Sequence, residues 1–301
     1  MLFVEKETFK NFAVPDEYFS LLLEDCENYL IKEFPFKICD IEVNLLSIWG
    51  TESHKLLKDT YSSYCMKQKS PACFPLYIHI DRELKIKHED FQSICEFSDE
   101  SVFYYVRWDF ILKLDLKEEI GQLVICQQNL EEKGEADNLA VFNEIIDKIM
   151  HLLYSLIIIK NKGFLIKGCG LVHANQGILV LNADKNLSKN FAQHENIMLF
   201  SKNLLGVRLI EDSHYLFSTP FGLMSASDTH SYSKLPLTYI YYNKPDNAED
   251  DLPPFERLLK NVYFISQSRS FKEMVLENVI SCCNEVTFTD NLSETPLIDL
   301  F

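Results

Sequence analysis

The sequence has no C-x-x-C pair, no two histidines at i, i+4, no apolar run of membrane length and no surplus of positive charge. Each absence excludes something. Without paired cysteine knuckles or a histidine repeat, no ordinary zinc spacing is present. The longest apolar run, near Ile149–Ile159, is broken by His151 and ends at Lys160. That is well short of the ~20 residues a membrane span needs. The opening residues, MLFVEKETFKNF, predict no export signal. Lysine and arginine total 29 against 45 acidic residues, for a net charge of −16. Such a surface repels phosphate backbones, so nucleic acid and anionic membranes are poor partners. Nine scattered cysteines, an odd number, fit reduced thiols and a cytoplasmic location.

What is present is enough apolar material for a large core. Hydrophobic residues make up 47% of 301, and that length suits two domains. The expected division is an N-terminal α/β region over 1–155 and a second core over 156–301. The stretch EYFSLLLEDCENYLIKEF has helical apolar spacing, and 39–48 reads as a strand. Strands are expected at 75–81, at 101–116 as two strands with a turn, and at 121–127, from β-branched and aromatic residues in alternation. A helix over 138–159 is apolar on most faces and predicts burial.

The stretch Gly163–Gly222 organises the rest. FLIKGCGLV and GILVLN flank HANQ, which predicts a hairpin. KNLSKNFAQ can start a helix. IMLFS, VRLIED, HYLFST and LPLTYIYYNK read as strands, and FERLLKNVYFI and FKEMVLENVISCCNEV as two amphipathic helices before a last short strand at VTFTDN.

This order, closed by Ser218-Thr219-Pro220-Phe221-Gly222, resembles the HPr kinase and phosphoenolpyruvate carboxykinase-like family, over about 100–300 and best over 163–222. The resemblance implies a mixed, largely antiparallel sheet with flanking helices, in the α/β (α+β) class. It also implies a phosphate-binding loop, and that loop is degenerate here. The family's first loop glycine falls on Asn182, and later ones on Lys185 and Leu187. The phosphate lysine falls on Ser188 and the magnesium-ligating hydroxyl on Lys189, so Asn182, Asp184, Lys185, Leu187, Ser188 and Lys189 form a vestigial loop. Loop glycines let backbone N–H groups approach phosphate, and Leu187 would fill that space. The family histidine falls on Lys167, with His173 six residues later. The paired aspartates fall near Lys202 and Asn203, which removes a general base and a metal ligand. The closing turn is kept, and its role in the family is largely structural.

These replacements predict a catalytically inactive relative that binds a protein or peptide partner and needs no cofactor or metal. Oligomerisation is compatible with this. One alternative is an ATP- and magnesium-dependent kinase with a rebuilt site. Asp184, Glu211 or Asp212 would then hold metal, and Lys167, Lys185 or Lys189 would hold phosphate. Another is a structural oligomer subunit. Lys185, Lys189, Lys202 and Arg208 could gather around an anion, with Lys167 and Thr219 as further contacts, although solvated lysines explain the same pattern. Cys169, between Gly168 and Gly170, reads as a site of close strand packing before it reads as a nucleophile.

Overall fold

The structure is a computed structural model. It describes residues 32–47, 57–59, 61–68, 70–81, 95–99, 101–126, 135–183, 197–221, 234–243, 252–264, 266 and 268–290. The chain divides into two compact units, Met1–Leu153 and Tyr154–Phe301. The class is mixed α/β, with sheets dominating.

The first unit holds a seven-stranded sheet in the order β1-β2-β3-β7-β6-β5-β4. Its strands are β1 (Lys32–Ile38), β2 (Ile41–Ser47), β3 (Phe74–Asp81), β4 (Cys95–Asp99), β5 (Val102–Arg107), β6 (Phe110–Asp115) and β7 (Ile120–Cys126). β2/β3 and β3/β7 are parallel and the remaining pairs antiparallel. β1 lies at an edge, the position where a strand tolerates Pro35. Its register with β2 buries Phe34, Phe36 and Ile38. Residues 32–34 were expected at the end of a helix and belong to this strand instead. Alternate burial of the two phenylalanines and the isoleucine outweighs the helical spacing upstream. The rest of that expected helix lies outside the described residues.

In sequence, the division between the units falls within the helix α1 (Glu135–Lys160), after Leu153. Residues Leu152–Ile159 are all buried. Such a run, apolar but for Ser155, suits a helix buried on all sides. Among the described residues no helix is long and apolar enough to cross a membrane.

The second unit is built on β8 (Gly163–His173), β9 (Gln176–Leu181), β10 (Met198–Ile210), β11 (Ser213–Ser218) and β12 (Lys234–Tyr242). β8 pairs with both β9 and β10, β10 with β11, β11 with β12, and β12 with β9. The five strands therefore close into a ring. Only β12/β9 is parallel within it. The segments 197–201 and 207–212, expected as separate strands, fall largely in the single strand β10, with a register shift between Leu199 and Ser201. Its length follows from pairing along nearly all of β8. Short β13 (Val262–Tyr263) adds to β8, and β14 (Thr287–Thr289) adds parallel to β12. Two helices complete the unit, α2 (Pro254–Asn261) and α3 (Arg269–Glu285).

Two-residue hairpin turns join β8 to β9 and β10 to β11. Both use left-handed backbone without glycine: Ala174 and Asn175 at φ 47 and 63, Glu211 and Asp212 at φ 47 and 62. This is the backbone handedness that matches strand twist.

Candidate functional site

The strands β9, β12 and β14 run parallel and stop together at Leu181, Tyr242 and Thr289. The vestigial loop would leave from the end of β9. Asn182 follows it directly, at φ 55. Its carbonyl oxygen accepts a hydrogen bond from Asn243 Nδ2 at 3.1 Å, and Asn243 N–H donates to the Leu181 carbonyl at 3.1 Å. Two asparagines thus seal the adjoining ends of β9 and β12. Asparagine tolerates left-handed backbone better than most residues, so the chain turns here without glycine. Asp184, Lys185, Leu187, Ser188 and Lys189 lie outside the described residues.

Lys167 is exposed on β8. The β8/β9 register pairs Cys169 with Val180, and its continuation brings Lys167 alongside Asn182. The Lys167 Nζ lies 5.8 Å from the centroid of the Tyr263 ring, within cation–π reach. Lys202 stands opposite Cys169 and Asn203 opposite Gly168 on the β8/β10 ladder. Thr219 is buried, and its hydroxyl donates to the Leu204 carbonyl at 2.7 Å. Phe221 packs its ring 5.8 Å from that of Tyr154. The closing turn is therefore tied into the core, and Thr219 is engaged there.

Arg208 belongs elsewhere. Its Nε donates to the Asn161 carbonyl at 3.1 Å, and it pairs with Gly163 at the far end of β8. Lys202 and Arg208 are six residues apart on one strand, about 20 Å at the usual strand rise. They do not gather around one anion. Glu211 and Asp212 sit beyond Arg208, in the exposed turn after β10. By the same rise they lie about 20 Å from the level of Lys167. These two carboxylates therefore cannot supply metal ligands at the start of the loop. Among the described residues, no group of three or more His, Cys, Asp or Glu side chains could hold a metal ion.

Cys169 is buried in a cluster with Leu171, Ile178, Val180, Ile197 and Tyr241, which is a packing role. Burial pushes the Cys283 thiol up to about 11 and raises Cys282 as well, so neither is a thiolate at neutral pH.

Sequence reasoning passed over three residues at this end of the ring. Arg257 of α2 is buried, its guanidinium 4.9 Å from the Tyr242 ring centroid, and its Nη1 donates to Asp290 Oδ2 at 3.0 Å. In FERLLKN, a charged residue in a short amphipathic helix reads as solvated surface. Only the pairing of β14 beside β12 brings Asp290 and Tyr242 to it.

No family model matches the chain, and no curated protein matches it. Among solved structures, the HPr(Ser) kinase/phosphatase from Coxiella burnetii is similar to part of it. The identity is 12% and the TM-score 0.23, covering 38% of this chain and 88% of that one. At that TM-score the likeness carries no argument about activity.

Proposed function

We propose that the chain is a catalytically silent HPr kinase-like protein that acts by binding a protein or peptide partner in the cytoplasm. The observation that carries this reading is the coordinated replacement at Asn182, Lys185, Leu187, Ser188, Lys189, Lys202 and Asn203 beside a kept Ser218–Gly222 turn. A phosphate lysine or catalytic carboxylate commonly supplies several kcal/mol of transition-state stabilisation, so several losses together leave no useful turnover. Two structural features support the reading. Asn182 takes left-handed backbone while carrying a side chain at the position where the family's first loop glycine falls. The separation of Lys202 from Arg208 leaves that pair unable to replace a phosphate clamp.

The test combines activity and association. Purified protein incubated with labelled ATP and magnesium should transfer no phosphoryl group to protein or peptide, and millimolar Mg-ATP should leave its melting temperature unchanged. Size-exclusion with light scattering of the purified chain mixed with its host's soluble proteins should give a stoichiometric complex that survives re-chromatography. Phosphoryl transfer that disappears in Lys189→Ala or Asp184→Ala would overturn the reading.

A further inference from the structure

Two buried arginines in this protein make an internal comparison. Arg107 is 7% exposed and uses its Nε and Nη2 together on the two carboxylate oxygens of Asp109. That edge of the guanidinium presents two parallel N–H groups and matches a carboxylate bidentately. Arg257 is buried to a similar degree, at 8% exposed. Its guanidinium donates through Nη1 to Asp290. Its Nε is closed to water and has no acceptor. The Nε donor that Arg107 satisfies with a carboxylate is therefore left without an acceptor on Arg257.

An unmet donor of this kind is costly. A buried donor left without a partner forfeits about 1–3 kcal/mol, more when charged, and such gaps in native structures call for a specific explanation. Arg257 is also held in place on two sides, by the Tyr242 ring at 4.9 Å and by Asp290. Pinning of this kind lowers the entropy cost of making a bidentate contact. The position is the end of the ring where β12 and β14 stop.

We propose that the Nε/Nη2 edge of Arg257, seated on Tyr242, is a carboxylate-binding site. A carboxylate fits better than a phosphate for two reasons. Asp290 already balances the guanidinium charge, so a monoanion adds less repulsion than a dianion, and the chain carries a net charge of −16. Asp109 on Arg107 shows the same edge taking a carboxylate within this fold. Because Nε is closed to water, entry needs a small shift of the side chains that cover it. The site uses no residue of the vestigial loop, so it stands or falls apart from the reading of the chain as catalytically silent.

The experiment follows the Arg257 Nε–H resonance by nitrogen-15 NMR in the full chain, assigned by its loss in Arg257→Lys. The probes are sodium acetate, sodium phosphate, and acetyl-Ala-Ala-Ala as the free acid and as the amide, each against sodium chloride at equal ionic strength. Acetate or the free-acid peptide should move the resonance saturably and raise the melting temperature of the wild type by about 2–4 °C at ten times the dissociation constant. Arg257→Lys should lose both effects. A shift with acetate alone assigns a small free acid, and a stronger shift with the free-acid peptide assigns a chain terminus. If no probe moves the resonance beyond chloride, Arg257 is a structural plug. If phosphate alone moves it, the ligand class is wrong. If the amide works as well as the acid, the carboxylate is not what is recognised. Should Arg257→Lys fail to fold, lysine variants of Arg82, Arg107, Arg208 and Arg269 assign the other four arginine resonances and leave the wild-type titration of Arg257 decisive.

Discussion

At the scale of single residues, burial sets what the polar groups can do. His214 of β11 is 5% exposed, and its Nδ1 lies 2.8 Å from Glu285 Oε2 at the end of α3. Burial holds its pKa below the ordinary histidine value, and Glu285 offsets this only in part. The unfolded chain protonates this histidine near pH ~6.5. Between that value and the lower folded one, the unfolded state binds the extra proton, so stability falls as pH falls. The contribution is full above pH ~6.5 and is lost as pH drops through the folded value. Urea midpoints at pH 7.5 and 5.5 should show a loss in the wild type, a smaller loss in His214→Gln and a larger one in Glu285→Gln. Equal losses in all three would place the titration elsewhere, with His151 the first alternative, since burial lowers its pKa too. Legibility in the sequence divides along the same line. Asn182 could be read as a turn residue because its backbone preference is local. Arg257 could not, because its burial depends on Tyr242 and Asp290, which strand pairing brings from 15 and 33 positions away.

At the scale of elements, the strand β8 carries the second unit, and its glycines differ in what they protect. A Cβ on Gly163 would lie 2.4 Å from the Val207 carbonyl oxygen and 2.4 Å from Arg208 Cγ. A Cβ on Gly170 would meet only side chains, the nearest being Leu205 Cδ2 at 2.6 Å. A backbone carbonyl within the β8/β10 ladder cannot withdraw without breaking pairs, whereas a leucine end can turn aside. Gly163→Ala should therefore destabilise by about 3 kcal/mol or more and Gly170→Ala by about 1–2 kcal/mol. The order of their urea midpoints is the check, and equal midpoints would mean that the ladder yields as easily as a side chain. Around Gly163 the chain is further fastened by Asn278 of α3, whose Nδ2 donates to the carbonyls of Ile159 at 3.0 Å and Gly163 at 3.1 Å. Elements with a complete period were readable: β3, β5, β6, β7, the β8/β9 hairpin and α1 follow directly from alternation or helical spacing. β1 was hidden behind a helical pattern that precedes it. β10 was split because its middle, Lys202-Asn203, looks like loop until β8 is known to lie beside it. The closure of the ring was not readable at all, since the β8/β10 pairing joins residues 26 to 45 positions apart.

At the scale of the whole molecule, charge is the property read most directly, and it yields a prediction independent of any site. A chain with −16 net charge repels itself, and compaction brings those charges together. Salt screens this repulsion, with a Debye length falling from about 30 Å at 0.01 M to about 3 Å at 1 M. Salt also weakens attractive surface pairs. Here those include Arg269–Glu273 at 2.9 Å and Lys37–Glu42 at 3.6 Å, both exposed enough to be worth about 0–1 kcal/mol each. The buried pair Arg107–Asp109 is screened little, whereas Arg257–Asp290 is half-open to salt through its exposed carboxylate. The excess of 45 acidic over 29 basic residues leaves 16 negative charges with no cation to balance them, so repulsion outweighs the pairs that salt would weaken. The melting temperature should therefore rise by a few degrees, about 2–5 °C, between 0.01 and 0.5 M sodium chloride at pH 7.5. Sodium chloride and potassium chloride should act alike, because screening depends on ionic strength. A fall in melting temperature would show that short-range pairs outweigh the net charge. A rise with one cation only would point to specific binding by the acidic surface.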